Sequence, residues 1–138
     1  MISERDIEIV RSDWEKVELI AHPTATLLYN RLFALDPSIR LLFPPDIEEQ
    51  KLKVLRMLGA AIYGLSDPEV LIPILHLLGR KHFAFGVRAR DYETLADALL
   101  WTLRVGLGDA FDADHEAAWK QVYAELAAHM QADLPLDA

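Results

Sequence analysis

The segment Leu77-Leu78-Gly79-Arg80-Lys81-His82 places one imidazole on an otherwise apolar helical surface. A neutral imidazole nitrogen in such a setting can serve as the axial ligand of a haem iron. A lone histidine on an apolar helix face is more often a hydrogen-bonded core residue, so the rest of the chain has to decide between the two. His76 stands about 240° around the same helix from His82 by helical geometry, so the two cannot face one iron. His22 falls at a helix start, His115 in the first turn of the last helix and His129 in its last turn, where solvated or capping roles are expected.

The elements that must position His82 are helices. Ser3, followed three residues later by Asp6, resembles a helix-start capping pair, and Ile7, Val10, Trp14, Val17 and Leu19 recur at helical spacing, predicting a first helix that ends near Ala21. His22-Pro23 restarts the chain, and Leu27, Leu28, Leu32, Phe33 and Leu35 mark a second helix closed by Asp36-Pro37. Pro37 to Phe43 reads as a short helical turn before Pro44-Pro45 breaks it. A long amphipathic segment from Asp46 sets Gln50, Val54, Met57, Leu58, Ala61, Ile62 and Leu65 on one face and ends at Ser66-Asp67-Pro68.

The next helix runs from Pro68 through His82, with Pro73 expected to bend or interrupt it, and a linker begins at Gly86. After Asp91, the residues Leu95, Leu99, Leu100, Leu103 and Val105 predict a helix ended by Gly106 and Gly108. A final helix from about Asp112 presents Trp119, Val122, Tyr123, Leu126 and Met130. With no sustained period-two alternation and no Asn-Gly or Asp-Gly hairpin turn, the class is all-α, with six or seven helices.

Length and charge narrow the function classes. At 138 residues the chain reads as one domain, residues 1–138, large enough to enclose a cofactor and too small for a second catalytic domain. A formal charge of −8, from 22 acidic and 14 basic residues, disfavours nucleic acid and anionic membrane surfaces as partners. The absence of cysteine removes disulfides, thiolate chemistry and Cys-type metal sites. Apolar runs are too short to span a bilayer, and Met1 to Val10 carries four charges where a signal peptide needs an apolar core. A cytoplasmic location is expected.

Four stretches, taken in order, carry a resemblance. They are Tyr29-Asn30-Arg31-Leu32-Phe33-Ala34-Leu35-Asp36-Pro37, Leu42-Phe43, Leu78-Gly79-Arg80-Lys81-His82 with Gly86-Val87, and Ala117-Ala118-Trp119-Lys120-Gln121-Val122-Tyr123. Over nearly the whole chain the sequence resembles single-domain globins, both bacterial haemoglobins of the flavohaemoglobin type and neuroglobin-type chains. The resemblance implies a globin fold, a helical sandwich around a haem pocket with a short or absent D helix. It also implies haem b (iron protoporphyrin IX) as cofactor, His82 as iron ligand, and dioxygen, nitric oxide and carbon monoxide as gases that bind.

The same resemblance assigns the pocket. Phe43 matches the phenylalanine that stacks on the porphyrin, and Leu78, Val87, Tyr92, Leu95 and Leu99 match the proximal lining. The His82 ring would be steadied by a backbone carbonyl one turn earlier, that of Leu78. Tyr29 and Gln50 fall over the vacant iron position with Val54 one turn beyond Gln50, and Lys53 points along the haem edge toward a propionate. A slip of one residue in the short connection from Phe43 would put Lys51 in the place of Gln50.

A phenol O–H and an amide N–H both donate to bound dioxygen, which takes negative charge from the iron. The resemblance therefore favours tight oxygen binding. Nitric oxide dioxygenation is the enzymatic alternative, and it requires a separate electron-donating reductase. A redox or gas sensor is the third. Tyr92 matches the tyrosine that backs the proximal histidine of flavohaemoglobins, but the last helix has no glutamate in register and Asp133 is offset, so no strongly electron-donating ligand of the peroxidase kind is expected. Glutamine is a poor iron ligand, so the sixth site should be open.

Overall fold

The computed structural model describes residues 2–134. Its helices are α1 (Glu4–Leu19), α2 (Ala21–Leu35), α3 (Glu48–Gly64), α4 (Pro68–Ala84), α5 (Ala89–Leu107) and α6 (Ala113–Gln131), with short 3₁₀ segments at Pro37–Leu42 and Gly108–Ala110. No strand occurs among the described residues. The connection from Phe43 to Ile47 contains no helix, matching the short link expected there.

Local chemistry sets most of the ends. The Ser3 hydroxyl accepts from the Asp6 N–H at 3.1 Å and opens α1, Asp36 caps the first 3₁₀ segment through Ser38, and Asp112 caps α6 through the His115 N–H. Several expectations are corrected. α1 stops at Leu19 rather than Ala21, and Pro73 does not interrupt α4, which runs unbroken from Pro68 to Ala84. Pro73 removes only one N–H, in the second turn of a helix whose buried face anchors it. Gly106 lies inside α5, and the helix ends at Gly108, whose φ of +57° takes the left-handed region. Leu19, Leu35, Met57 and Val105 follow the helical pattern yet are exposed. Leu19, Leu35 and Val105 sit in the last turns of their helices, where packing against neighbouring elements is incomplete.

The core is built where helices cross. α2 packs mainly on α5 and α3, while α6 takes α1 on one side and α4 on the other. Trp14 and Trp119 meet in its interior with ring centroids 5.9 Å apart. Two glycines permit close approach. A Cβ at Gly59 would stand 2.7 Å from Trp14 Nε1, and one at Gly79 would collide with the Met130 carbonyl oxygen of α6.

Beside these apolar contacts lies one buried polar cluster. Asp13 is fully buried, and its Oδ2 accepts from Trp119 Nε1 at 3.0 Å and from His115 Nδ1 at 2.7 Å. His115, expected to be solvated or capping, instead ties α6 to α1.

Among the described residues no single helix is long and apolar enough to cross a membrane.

Candidate functional site

α3 and α4 are joined by the three-residue turn Leu65–Asp67 and touch where Gly64 meets Leu71. From that contact they diverge, α3 leaning on α2 and α1, α4 on α6. Gln50 lies 14 residues back along α3 and His82 lies 11 residues on along α4, so each arm of the V is roughly 15–20 Å long at 1.5 Å per residue. The α5 helix then leaves α4 at a bend of 110°. Phe43, Val54, Leu58, Leu78, His82, Val87 and Leu95, on the elements that bound this V, are all half-buried.

On the α4 arm, His82 Nδ1 donates to the Leu78 carbonyl at 2.7 Å. A carbonyl can only accept, so the proton sits on Nδ1 and the Nε2 lone pair is left free. The chain then turns sharply. Gly86 takes φ +102°, and the Val87 N–H returns to the His82 carbonyl at 3.0 Å, which folds Val87 back beside the histidine. Arg88 Nη1 donates to the Phe83 and Val87 carbonyls, each at 3.1 Å, and the Asp91 carboxylate accepts the Arg88 N–H at 2.8 Å. These contacts clamp the corner between His82 and α5. The sequence marks the corner only through Gly86.

On the α3 arm, the Tyr29 hydroxyl donates to the backbone carbonyl of Gln50 at 3.2 Å. Tyr29 is buried, and burial pushes its phenol well above the usual tyrosine range. Its ring stands edge-on to Phe43 at 5.3 Å, and Phe33 completes a three-ring cluster at 5.7 Å from each. Phe33 was legible as a helix residue but not as part of this cluster. Arg40 spans the turn after the first 3₁₀ segment, donating to the Pro44 and Pro45 carbonyls at 2.8 and 2.5 Å, and so holds Phe43 in place.

Gln50 and Val54, four residues apart on α3, are half-buried, whereas Lys53 is exposed. Lys51 is mostly covered, and its ammonium is turned to Glu48 at 2.8 Å.

The rear wall of α4 and α5 also departs from simple packing. Tyr92 is buried, and its hydroxyl has no hydrogen-bond partner among the described residues. Its backbone carbonyl accepts from Tyr123 Oη at 2.7 Å. A cavity of about 280 Å³ between α5 and α6 reaches Tyr92, Leu99 and Tyr123, and a second of about 420 Å³ lies between α1 and α3 against Trp14 and Gly59. Neither is lined by His82 or Phe43; the candidate cleft is bounded by the half-buried side chains above. Asp133, just past the end of α6, pairs with Arg80 at 2.8 Å and lies 3.8 Å from His76, an outer contact of α4 separate from His82.

Comparisons with known proteins agree with this architecture. The globin family profile matches residues 26–130. Neuroglobin of Chaenocephalus aceratus is 32% identical over 94% of this chain and 90% of its own length, and neuroglobin of Danio rerio 31% over 89% and 86%. Among solved structures, an engineered carbene transferase made from a Rhodothermus marinus protein designated a nitric oxide dioxygenase superposes with a TM-score of 0.83, covering 96% of this chain and 92% of that one at 23% identity. The chain belongs to the globin family, whose members bind haem and diatomic gases.

Proposed function

We propose that this globin binds haem b with His82 as iron ligand and holds dioxygen tightly through Tyr29 and Gln50. The observation that carries the reading is the 2.7 Å bond from His82 Nδ1 to the Leu78 carbonyl, which fixes the tautomer and leaves Nε2 as a ligand. The residues present fit the group: a half-buried apolar rim of Phe43, Val54, Leu78, Val87 and Leu95 is suited to a porphyrin face, with Tyr92 and Leu99 behind it and exposed Lys53 suited to a propionate.

When bound, the haem iron supplies the gas-binding centre and shifts electron density onto the gas. The chain supplies the donors. The Tyr29 phenol, pushed further up by burial, is protonated at neutral pH, and the Gln50 amide is the second donor. Hydrogen bonds to a charged group contribute roughly 1.5 to 3 kcal/mol each. Two such bonds slow gas escape by about two to four powers of ten if they add. Such retention suits a protein that keeps its ligand until a second reactant arrives better than one that delivers oxygen in bulk.

Nitric oxide dioxygenation is the second reading, favoured by the designation of the Rhodothermus marinus relative in fold. It needs electrons from a reductase.

The test is the visible spectrum of the purified protein, ferrous under argon and then in air and carbon monoxide. A broad five-coordinate ferrous band converting to a long-lived oxygenated spectrum is expected, and His82→Ala should lose it. Sharp split low-spin bands before any gas is added would overturn the open-site reading. Repeated conversion of nitric oxide to nitrate under a supplied reductant is expected for the second reading.

A further inference from the structure

Residues Val70 to Arg90 contain four basic residues, Arg80, Lys81, Arg88 and Arg90, and no Asp or Glu. The other 117 residues carry all 22 acidic residues and ten of the fourteen basic ones. In a chain of net charge −8 this is the longest acid-free stretch and the one with the most basic residues, and it contains His82.

The same stretch leaves apolar side chains uncovered. Val70 is 58% exposed, Ile74 47%, Leu77 46% and Phe85 81%. Steps of four, three, four and four residues put Val70, Ile74, Leu77, Lys81 and Phe85 along one side of α4, next to the buried row Leu71, Leu75 and Gly79. Single exposed apolar residues are ordinary, but a row of this kind bordered by charge marks an interaction surface.

The charges differ in how far they are already engaged. Arg80 is turned to Asp133, and Arg88 lies over the Phe83 ring at 4.2 Å with its donors on backbone carbonyls. The Asp36 carboxyl is held below its usual range by its bond from Ser38 and, more weakly, by Arg90. Lys81 is exposed and has no ion pair among the described residues.

We infer that the Val70–Arg90 face is the docking site for an acidic electron-donor flavoprotein. The inference rests on the reading of His82 as haem ligand and gives the reductant of that reading its surface. An acidic partner is repelled by the net −12 of the remaining chain and attracted most strongly here, which both steers and orients it. The apolar row supplies the desolvated centre of the contact. Docking on α4 brings the donor to the helix that carries the iron ligand. One electron passes from the reduced flavin to ferric haem, leaving the haem ferrous and the flavin one electron more oxidised.

The test uses the ferric holoprotein and, as probe, an acidic flavodoxin with fully reduced flavin mononucleotide, followed by stopped flow under carbon monoxide. Lys81→Glu should lower the second-order rate about tenfold at low ionic strength. Leu77→Ser should lower it several-fold, and added salt should slow the unmodified protein. Arg56→Glu, on exposed α3 surface, should match the unmodified protein. Reduction by dithionite and rebinding of carbon monoxide should be the same in all of them.

Equal rates for Lys81→Glu and Arg56→Glu would overturn the inference. So would self-association of the chain in sedimentation equilibrium that Lys81→Glu abolishes, which would assign the face to a second copy. Binding of oxidised flavodoxin, read by fluorescence anisotropy, separates docking from haem chemistry. Weaker binding by Lys81→Glu supports the docking face even where His82→Ala leaves the spectrum unchanged and the ligand reading fails. Binding unaffected by Lys81→Glu overturns the docking face whatever the spectrum shows.

Discussion

Tyr29 reaches the first turn of α3 through the backbone of Gln50: its hydroxyl donates to the Gln50 carbonyl at 3.2 Å and makes no bond to the side-chain amide. That carbonyl is already an acceptor within the helix, so the phenol can turn to a gas without orphaning it. Tyr29→Phe should therefore cost at most about 1 kcal/mol of stability while raising the dioxygen release rate about ten- to a hundredfold. Flash photolysis and urea unfolding on the same variant check both halves. An unchanged release rate would remove Tyr29 from gas retention.

Gly79 sits where the backbone of α4 lies directly against that of α6, with Met130 opposite. Its neighbour is a main-chain carbonyl, which cannot swing aside as a side chain does. Gly79→Ala should destabilise the fold by about 3 kcal/mol and displace α4, so haem loss should accelerate. Chemical unfolding together with haem transfer to an apo-acceptor protein measures the pair of effects.

Asp13 holds α6 to α1 through Trp119 and His115. Asp13→Ala strands the Trp119 N–H in the core and should cost about 3 kcal/mol, whereas Asp13→Asn keeps an acceptor and should cost less. The indole emission of Trp119 should shift in the alanine variant before global unfolding.

Burial raises the phenols of Tyr29, Tyr92 and Tyr123 above the ordinary value of 10.0. Below that pH both folded and unfolded chains keep these groups neutral, and their contribution to stability is complete. As pH rises beyond it the unfolded chain ionises first, so stability falls and is lost as pH passes through the folded values. Tyr123→Phe gives up the bond to the Tyr92 carbonyl, about 1 kcal/mol at neutral pH, and should flatten the alkaline decline. Thermal unfolding between pH 8 and 11.5 tests the slope.

Much of this was legible in the residues themselves. The helical period of Val10, Trp14 and Val17, the Ser3 and Asp112 caps and the Pro44-Pro45 break act within a turn or two, so sequence alone placed most helices to within a few residues. His82 and Leu78 are one turn apart, and their hydrogen bond follows from helix geometry. The interruption expected at Pro73 does not occur, because a local rule cannot see the buried face of Leu71, Leu75 and Gly79 that keeps α4 continuous through it.

Other features arise only when distant segments meet. Asp13 and His115 are 102 residues apart, and nothing near either predicts the other. The orphaned Tyr92 hydroxyl, the clustering of Phe33 with Tyr29 and Phe43, and the exposure of Leu77 beside buried Leu75 all depend on which helix lies alongside. Short-range chemistry in the sequence determined the helices and the orientation of the histidine ring. Long-range packing, whose partners are chosen by helix crossings, decided what surrounds that ring and which side of its helix stays open to a partner.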